Sequence, residues 1–449
     1  MARKSNPVKN SIDIISLGCS KNLVESERLI RQLEGRGYKV NFDPEAPCSE
    51  FVVVNTCGFI SDAKEESINT ILQLCQRKKE GRIGRIAVMG CLSQRYLEEL
   101  KAEIPEVDLW YGKFDWPALV AQLPDLSGKT PPALWERKLT TPPHSAYLKI
   151  SEGCNRFCAF CAIPGITGRH KSRPIEEILE EVKTLVKEGV KEFNLIAQDL
   201  SAYGLDIYGR QELATLVDKI SDIKGVEWIR LHYAYPADFP KDLLDVMAKK
   251  DNVCKYLDIA FQHIADPVLE NMRRHISKNE TVELLKEIRQ RVPGIRIRTT
   301  LMTGFPGEGQ KEFEELLEFV RTQKFDRMGA FTYCEEEDTF AAKNLQDTIP
   351  QEVKQQRLDL LMDLQQKISL ELNEELVGTI QRVLIDRIED GVAYGRTQYD
   401  SPEVDPEVLI NIKESEEENK EYVVDVKPGV FVNVKITEAY PFELLGEIV

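Results

Sequence analysis

The chain has 449 residues, a length that predicts roughly three domains at about 150 residues each. Hydrophobic residues make up 42%, but no apolar run reaches the 18 or so residues that a membrane helix requires, so a membrane protein is excluded. The basic start MARKSNPVKNSID has no apolar stretch behind it, so we expect no secretory signal and a cytoplasmic protein.

The formal net charge of -16 is concentrated near the C-terminus. Residues 371–449 contain 19 Asp or Glu and 7 Lys or Arg, a net charge of -12, which leaves -4 for the rest of the chain. Because nucleic-acid affinity depends on Lys and Arg displacing counterions, this segment predicts weak or indirect nucleic-acid binding and a basic protein partner. A solvated surface that only aids solubility is the alternative.

Residues 10–122 alternate short β-branched runs with amphipathic stretches, which predicts a parallel α/β domain. Cys19, Cys57 and Cys91 each stand where a predicted strand ends. The ends of parallel strands share one edge of a sheet, so we expect these thiols to converge on one metal site, with buried thiols as the alternative. Cys75, on the apolar face of a helix predicted from about residue 62 to 79, is expected in the core.

The middle of the chain, residues 140–370, alternates strand-like runs such as EFNLIAQ and IRIRTTLMT with helical patterns. This alternation predicts a TIM-type (βα) barrel or partial barrel. A long helical stretch then leads into short strand patterns separated by Gly, Pro and Asp. We therefore predict a small antiparallel β-barrel over residues 373–449, and an α/β fold class overall.

A tight group of cysteines follows the predicted strand AYLKIS. In SEGCNRFCAFCAIP the spacing is Cys-x3-Cys-x2-Cys, through Cys154, Cys158 and Cys161. Three thiolates in one loop would hold a 4Fe-4S cluster with one iron open to a small molecule. A zinc site would need a fourth ligand, for which His170 is a candidate, and three core thiols are the remaining alternative.

With Phe160 as the aromatic residue before the third cysteine, this motif resembles the signature of the radical S-adenosylmethionine superfamily. The resemblance implies that Cys154, Cys158 and Cys161 hold the catalytic cluster and that S-adenosyl-L-methionine binds its open iron. It also implies that Phe160 packs beside the cofactor. An electron donor such as flavodoxin or ferredoxin would reduce the cluster and so release a 5′-deoxyadenosyl radical.

The order of parts along the chain resembles the methylthiotransferases, which join an amino-terminal cysteine domain, a radical domain and a substrate-recognising TRAM β-barrel. In that family the first domain holds a second 4Fe-4S cluster. The matching positions are Cys19 in LGCSKNLVESE, Cys57 in NTCGFI and Cys91 in GCLSQRY. The resemblance thus implies two 4Fe-4S clusters, the second of which would carry or donate the sulfur.

Two subgroups of this family differ in substrate: one modifies adenosine in transfer RNA, and the other the β-carbon of an aspartate in small-subunit ribosomal protein twelve. LGCSKNLVESE and YGRTQYDSPEVD resemble the second subgroup, since the first more typically reads Cys-Gln-Met-Asn where Ser20, Lys21 and Asn22 follow Cys19 here. We predict the ribosomal protein, alone or within the small subunit, as substrate. Transfer RNA is the first alternative, and a non-enzymatic iron-sulfur carrier or RNA-binding module is the second.

Polar residues near the ends of later predicted strands are candidates for cofactor contacts. Gln198 and Asp199 could bind the amino end of S-adenosyl-L-methionine. Gln262 and Arg298 are expected at the same barrel mouth, with Arg298 suited to the cofactor carboxylate. The run GFPGE at residues 304–308 could approach the adenosyl group closely or form a plain turn.

Overall fold

The computed structural model describes residues 6–412 and 426–449. The chain divides into two compact units. The amino-terminal unit comprises Met1–Thr140, Tyr147–Asn155 and Ala162–His170, and the carboxy-terminal unit comprises Thr141–Ala146, Arg156–Cys161 and Lys171–Val449. Within the described ranges, none of the helices combines the length and the apolar character needed to cross a membrane.

The amino-terminal unit is built on a parallel sheet with strand order β2-β1-β3-β4-β5. Its strands are β1 (Val8–Ser16), β2 (Lys39–Phe42), β3 (Ser49–Thr56), β4 (Arg85–Gly90) and β5 (Leu109–Trp110). Its helices are α1 (Ser20–Gly35), α2 (Ser61–Lys79), α3 (Cys91–Arg95), α4 (Leu97–Glu103) and α5 (Trp116–Gln122). The parallel α/β prediction is confirmed, and β2 is a strand that the sequence pattern did not indicate.

Both faces of this sheet are buried. In β3, Phe51 and Val53 pack with residues of α1 and α5, whereas Val52 and Val54 pack with residues of α2 and α4. Alternate residues of a strand point to opposite faces, so the continuous apolar run FVVV is what a doubly covered strand requires. Cys75 of α2 lies in the second of these cores, 4% exposed, as predicted.

The chain then forms β6 (Ser145–Lys149), β7 (Ser151–Glu152), α6 (Ile163–Thr167) and β8 (Lys171–Ser172). The main sheet of the carboxy-terminal unit contains parallel strands in the order β13-β12-β11-β10-β9. These strands are β9 (Glu192–Ile196), β10 (Trp228–Ala234), β11 (Val253–Ile259), β12 (Arg296–Thr303) and β13 (Arg327–Thr332). The open order confirms the predicted partial barrel.

Helices follow the strands of this sheet, as the βα alternation predicts. They are α7 (Ile175–Lys187), α8 (Leu205–Tyr208), α9 (Leu213–Ser221), α10 (Asp242–Lys249), α11 (Asp266–Asn271), α12 (Lys278–Arg291), α13 (Gln310–Gln323), α14 (Phe340–Asn344) and α15 (Gln351–Glu374). A short 3-10 helix spans Leu200–Ala202.

The end of the chain forms a closed β-barrel with strand order β14-β15-β16-β18-β17 among the described residues. Its strands are β14 (Ile380–Glu389), β15 (Val392–Thr397), β16 (Glu407–Asn411), β17 (Phe431–Ala439) and β18 (Glu443–Ile448). The predicted barrel is confirmed. Its pairs are antiparallel except for β16 and β18, which run parallel.

Buried ion pairs join this barrel to the main sheet of the carboxy-terminal unit. Glu192, at the start of β9, accepts hydrogen bonds from Arg396 of β15 at 2.7 and 2.9 Å, and from Arg230 of β10 at 3.1 Å. The Ser145 hydroxyl donates to the same carboxylate at 2.7 Å. Arg396 also pairs with Asp386 at 2.7 Å. With several partners for each charge, burial leaves no charge in this group uncompensated.

Candidate functional site

Three cysteines follow the carboxyl ends of neighbouring parallel strands in the amino-terminal unit. Cys57 comes directly after β3, Cys91 directly after β4, and Cys19 in the turn between β1 and α1. Because β1, β3 and β4 are adjacent in the sheet, these turns lie at one edge. Burial raises the pKa of both other thiols, and the charge of Cys19 adds to that effect, which requires Cys19 to lie near them.

Asn22 ties the three turns to one another. Its amide nitrogen donates to the backbone oxygens of Leu17 and Thr56, both at 3.0 Å, and its side-chain oxygen accepts from the Cys91 thiol at 3.6 Å. The side chain is 1% exposed, so these partners replace water fully. The sequence marked Asn22 only as a subgroup feature, and its role as a bridge depends on residues far away along the chain.

Two glycines allow this close approach. Gly18 has a φ of +96°, and a Cβ there would lie 2.8 Å from the Cβ of Cys57. A Cβ on Gly58 would lie 2.6 Å from the Cα of Leu92. Both distances are shorter than two non-bonded carbon atoms allow. Glycine is therefore required in LGC and TCG for the turns that carry the thiols to approach each other.

The three thiols have different electrostatic surroundings. Removal of water from its sulfur raises the pKa of Cys19. The charges of Lys21 and Lys113 and hydrogen bonds from backbone N–H groups outweigh that effect, so this pKa is lowered on balance. Burial raises the pKa of Cys91 to about 11 despite the opposing charge of Lys113. Burial likewise raises the pKa of Cys57. Metal binding, which needs thiolates, must therefore displace protons from the two thiols whose pKa is raised.

Lys113 supplies a buried positive charge next to these cysteines. Its side chain is 3% exposed, and its ammonium lies 3.4 Å from the Glu152 carboxylate. Burial lowers the pKa of Lys113, but the charges of Glu152, Cys91 and Cys19 outweigh that effect and raise it. A cation held there favours the anionic forms of nearby sulfur. Its only signal in the sequence was a lysine just after a predicted strand.

The second group of cysteines lies in the loop between β7 and α6. The backbone N–H of Cys154, in the amino-terminal unit, donates to Gly168 at 3.2 Å. Cys158 and Cys161 belong to the carboxy-terminal unit, where the N–H of Cys161 donates to the carbonyl of Cys158 at 3.1 Å. This turn keeps the last two cysteines of the motif close in the backbone.

Cys158 contacts two buried side chains of the carboxy-terminal unit. Nη1 of Arg274 donates to its sulfur at 3.3 Å, and the Tyr235 hydroxyl lies 3.8 Å from the same sulfur. Arg274 is 3% exposed, and its guanidinium carbon lies 4.1 Å from the centroid of the Tyr235 ring. Sequence reasoning missed both residues, because neither belongs to a recognisable spacing pattern with the cysteines.

Arg156, within the cysteine motif, is anchored by two acidic residues. Its Nε donates to Asp199 at 2.7 Å, and its Nη1 to Asp238 at 3.0 Å. The other oxygen of Asp199 accepts from the backbone N–H of Ser201 at 2.8 Å. Asp199, predicted as a cofactor contact, thus already holds the cysteine loop at the carboxyl end of β9.

Phe160, the aromatic residue of the motif, packs edge-to-face on Phe305 with ring centroids 6.1 Å apart. Phe305 belongs to the run GFPGE, where Gly304 has a φ of +74°. The buried Glu308 carboxylate accepts from the N–H of Gly304 at 3.0 Å and pairs with Arg357 at 2.7 Å. The GFPGE run is therefore a turn closed by its own glutamate, and Phe160 connects it to the cysteine loop.

Gln262 and Gln198 follow the carboxyl ends of β11 and β9. Gln262 has a φ of +69°, and its backbone pairs with Thr300 and Met302 of β12. Its buried side-chain oxygen has no hydrogen-bond partner in the part of the chain that the structure describes. Because buried acceptors are normally hydrogen-bonded, this oxygen is suited to accept a hydrogen bond from a ligand bound at this edge.

Arg298 lies elsewhere than the sequence suggested. It is the third residue of β12, near the amino end of the strand, and its guanidinium pairs with Asp405 of the carboxy-terminal segment. Asp405 also accepts from Tyr256 at 2.9 Å. In the same way Arg327 pairs with Asp400 at 2.7 Å. Arg298 is the fourth of the nine residues in IRIRTTLMT, so it lies too early in the strand to reach the carboxyl edge, which is at Thr303.

The donor chemistry of both cysteine groups is compatible with iron-sulfur clusters. None of the ten cysteines, all within the described ranges, forms a disulfide. No three His, Cys, Asp or Glu side chains in residues 6–412 and 426–449 are arranged around a single metal ion. A cubane cluster requires a wider arrangement, because each of its thiolates binds a different iron.

Comparison with known families matches three consecutive parts of the chain. Residues 11–112 match the family described as Uncharacterized protein family UPF0004. Residues 148–320 match the Radical SAM superfamily, and residues 377–449 match the TRAM domain. The cysteine groups fall within the first two of these regions.

Relatives of similar length carry the name ribosomal protein uS12 methylthiotransferase RimO. The protein from Porphyromonas gingivalis is 59% identical over 443 residues, covering 98% of this chain and 99% of that protein. The protein from Phocaeicola vulgatus is 60% identical over 440 residues, with 98% and 99% coverage. The protein from Cytophaga hutchinsonii is 48% identical over 449 residues and covers both chains fully.

Solved structures of low sequence identity share the fold. The radical S-adenosylmethionine methyltransferase TsrM from Kitasatospora setae aligns with a TM-score of 0.55 at 13% identity, over 86% of this chain and 77% of that one. That likeness concerns the fold alone. The full-length identity to the relatives above, together with the three matched regions, means that this chain belongs to the RimO family of the radical SAM superfamily.

Proposed function

We propose that this enzyme is a radical SAM methylthiotransferase that adds a methylthio group to the β-carbon of an aspartate in ribosomal protein uS12. The observation that carries this proposal is the 59% identity to RimO proteins over 98% of the chain. The chemistry is consistent with it, since a carbon next to a carboxylate is hard to deprotonate at neutral pH. A radical route avoids that acid-base problem.

Cys154, Cys158 and Cys161 are proposed to hold a catalytic 4Fe-4S cluster whose open iron binds S-adenosyl-L-methionine. When bound, these groups supply a methyl group and, after one-electron reduction, a carbon radical able to remove hydrogen from an unactivated C–H bond. The residues around the loop orient and shield this chemistry. Arg156 fixes the loop to Asp199, and Phe160, packed against the apolar cluster that includes Phe305, excludes water from one side of the loop.

Gln198, Asp199, Gln262 and Phe160 are proposed contacts of the cofactor. The unpartnered buried oxygen of Gln262 supports this assignment, since the amino group of S-adenosyl-L-methionine could donate to it. Asp199 would act mainly through Arg156, which already occupies one of its carboxylate oxygens. Arg298 is not included, because its guanidinium is engaged with Asp405.

Cys19, Cys57 and Cys91 are proposed to hold the second 4Fe-4S cluster, which would carry or donate the sulfur. Their position at one sheet edge, the bridge made by Asn22 and the cation Lys113 support this proposal. Lys113 would offset the negative charge that three thiolates and bound sulfur bring into a buried place. Residues 10–122, 140–370 and 373–449 would then serve the second cluster, the radical chemistry and substrate recognition.

The proposed partners follow from the substrate and the chemistry. A basic ribosomal protein, free or within the small subunit, would be attracted to the acidic residues of the C-terminal segment, with nucleic-acid binding weak or indirect. A one-electron donor of the flavodoxin or ferredoxin class would reduce the catalytic cluster. These partners imply a cytoplasmic enzyme.

The first experiment measures iron and product together. Protein reconstituted without oxygen is expected to hold about eight irons, and the triple variant Cys19→Ala, Cys57→Ala, Cys91→Ala about four. With S-adenosyl-L-methionine and a reductant, mass spectrometry of uS12 should show a methylthio adduct for the wild type only. Cofactor cleavage to 5′-deoxyadenosine should continue in the triple variant.

Exposed cysteines outside both groups provide the matched control. The double variant Cys48→Ala, Cys334→Ala removes two exposed thiols and should keep both the iron content and the product. About four irons in wild type and triple variant alike would contradict the second cluster. A methylthio adduct on transfer RNA but not on uS12 would overturn the proposed substrate.

A further inference from the structure

Arg274 is a buried cation beside the cysteine motif that neither the motif nor the function proposed above explains. It lies just after α11, distant in sequence from the cysteines, and is 3% exposed. Burying a guanidinium is costly unless its charge and donors are used. The contacts of Arg274 therefore indicate what the charge is for.

One of those contacts is a hydrogen bond to a proposed cluster ligand. Nη1 donates to the Cys158 sulfur at 3.3 Å, and Nη2 donates to the carbonyl of Ala260. The third group, Nε, is buried and has no hydrogen-bond partner in the described residues. The backbone thus holds Nη2, Nη1 contacts the sulfur, and Nε remains as a donor for a bound group.

The surroundings hold Arg274 rigidly in this position. Its side chain lies over the Tyr235 ring at 4.1 Å, and the Tyr235 hydroxyl donates to the carbonyl of Arg274 at 2.8 Å. The residues on either side, Arg273 and His275, have φ values of +56° and +53°. Such backbone conformations are unfavourable for residues with side chains and persist only where the surrounding structure requires them.

A hydrogen bond from a buried cation to a ligand sulfur affects the two redox states of a cluster unequally. Reduction adds one electron, and therefore one negative charge, to the cluster without taking up a proton. A fixed positive charge and an N–H donor at the sulfur stabilise the more negative, reduced state. The reduction potential of the cluster consequently rises, which makes it easier for a flavodoxin or ferredoxin to reduce.

We propose that Arg274 is a positioning residue that raises the reduction potential of the cluster held by Cys154, Cys158 and Cys161 through its hydrogen bond to Cys158. This inference rests on the proposed function, because it presumes a cluster at these cysteines. It assigns Arg274 to electron uptake, the step before any bond of the cofactor breaks. The electron comes from the one-electron donor and resides on the cluster.

The experiment measures the potential directly in the full-length triple variant that lacks Cys19, Cys57 and Cys91, so that one cluster is observed. A redox titration followed by electron paramagnetic resonance compares this background with added Arg274→Met. Loss of the cation should make the ratio of reduced to oxidised cluster at least tenfold smaller at a fixed potential. For a one-electron couple this corresponds to a reduction potential about 59 mV more negative. Arg274→Lys, which keeps a charge but loses the planar fork, should give a smaller shift.

Arg273→Met is the matched control, since it removes the same charge from an exposed neighbour that packs on Phe340 instead. It should leave the potential unchanged. Arg274→Met with about four irons and an unchanged potential would overturn the inference. If Arg274→Met loses its iron, Arg274→Lys decides, and an unchanged potential in that variant would also overturn it. Absence of iron from the background variant itself would instead refute the proposed function.

Discussion

The two carboxylates that hold Arg156 make the same contact in different environments. The Asp199 side chain is 2% exposed and that of Asp238 is 81% exposed, yet both accept from the same guanidinium. An ion pair in water contributes little, whereas a buried carboxylate that loses its charge leaves its partner poorly compensated. The anchoring of the cysteine loop should therefore depend on Asp199 and hardly on Asp238.

We expect Asp199→Asn to weaken the hold on the catalytic cluster. The change removes the charge that pairs with Arg156 and should lower the free energy of unfolding by about 1–3 kcal/mol. In the background without Cys19, Cys57 and Cys91, iron should be lost to a chelator several-fold faster. Asp238→Asn, with its exposed carboxylate, should match the background protein. Equal iron loss in the two variants would contradict this assignment.

The sequence predicts the cysteines of the candidate site but not the residues that contact their sulfur atoms. The spacing of Cys154, Cys158 and Cys161 is local, so it is visible in the sequence without the fold. Asn22 and Arg274 act on sulfur atoms that lie 69 and 116 positions away along the chain. Such pairs come together only through the sheet and its connections, which residue spacing does not encode.

At the scale of helices and strands, the elements that the sequence predicted are those with a strong period. The helix expected from about residue 62 to 79 spans Ser61–Lys79, with an acidic residue in its first turn and basic residues in its last. The strands that the sequence did not indicate include β2 and β18. The first is a four-residue edge strand, KVNF, and the second, ELLGEI, contains a glycine and follows the proline of AYPF, so neither gave a clear alternation.

The last strand, β18, is what closes the terminal barrel. It pairs with β17 on one side and β16 on the other, and its residues alternate between the interior and the surface. Leu444 is 0% exposed and belongs to the barrel core, whereas its neighbour Leu445 is only partly buried. A closed barrel has no free edge, so losing this strand would expose two others.

Neighbouring leucines in β18 provide a test of this closure. Leu444→Ala should lower the free energy of unfolding by about 2–5 kcal/mol, because it leaves a cavity in the barrel core. Leu445→Ala removes the same atoms from a partly exposed position and should cost clearly less. Urea denaturation followed by circular dichroism measures both variants. A larger loss for Leu445→Ala would mean that the register of β18 is shifted by one residue.

At the scale of the whole molecule, part of the acidic C-terminal segment has a structural role. Asp386, Asp400 and Asp405 pair with arginines inside the carboxy-terminal unit. The pairs of Asp400 and Asp405 join the barrel segment to strands of the main sheet, whereas the pair of Asp386 lies within the barrel. None of these three charges is available to a partner. Fewer than the 19 acidic residues of this segment therefore remain for the proposed basic partner, and the exposed ones include Glu438 and Glu443 of the barrel.

Glu192 is the centre of the buried group that joins the two parts of the carboxy-terminal unit. Glu192→Gln leaves Arg396 and Arg230 facing a neutral amide in a buried place, so the free energy of unfolding should fall by about 3–5 kcal/mol. Glu227→Gln is the control, since the Glu227 pair with Arg382 joins the same parts of the unit at the surface and should contribute about 0–1 kcal/mol. Urea denaturation at neutral pH compares them. Equal losses would show that burial does not matter here.

The same group should make stability depend on acid. Burial raises the pKa of Glu192, but Arg396 and Arg230 outweigh it and leave that pKa well below its ordinary value. The pKa of Asp386 is lowered in the same way by Arg396 and by its hydrogen bond with His144. A carboxylate with a depressed folded pKa stabilises the fold fully above its unfolded pKa of about 4, and loses that contribution as pH falls towards the folded value.

We therefore expect the free energy of unfolding of the wild type to fall between about pH 5 and pH 3, by up to about 1.4 kcal/mol per pH unit for each such carboxylate. Glu192→Gln, which has no proton to take up at this position, should show a shallower slope. Urea denaturation in steps over this range gives both slopes. Parallel slopes would mean that Glu192 is already protonated in the folded protein, so that Arg396 and Arg230 face an uncharged carboxylic acid there instead of a carboxylate.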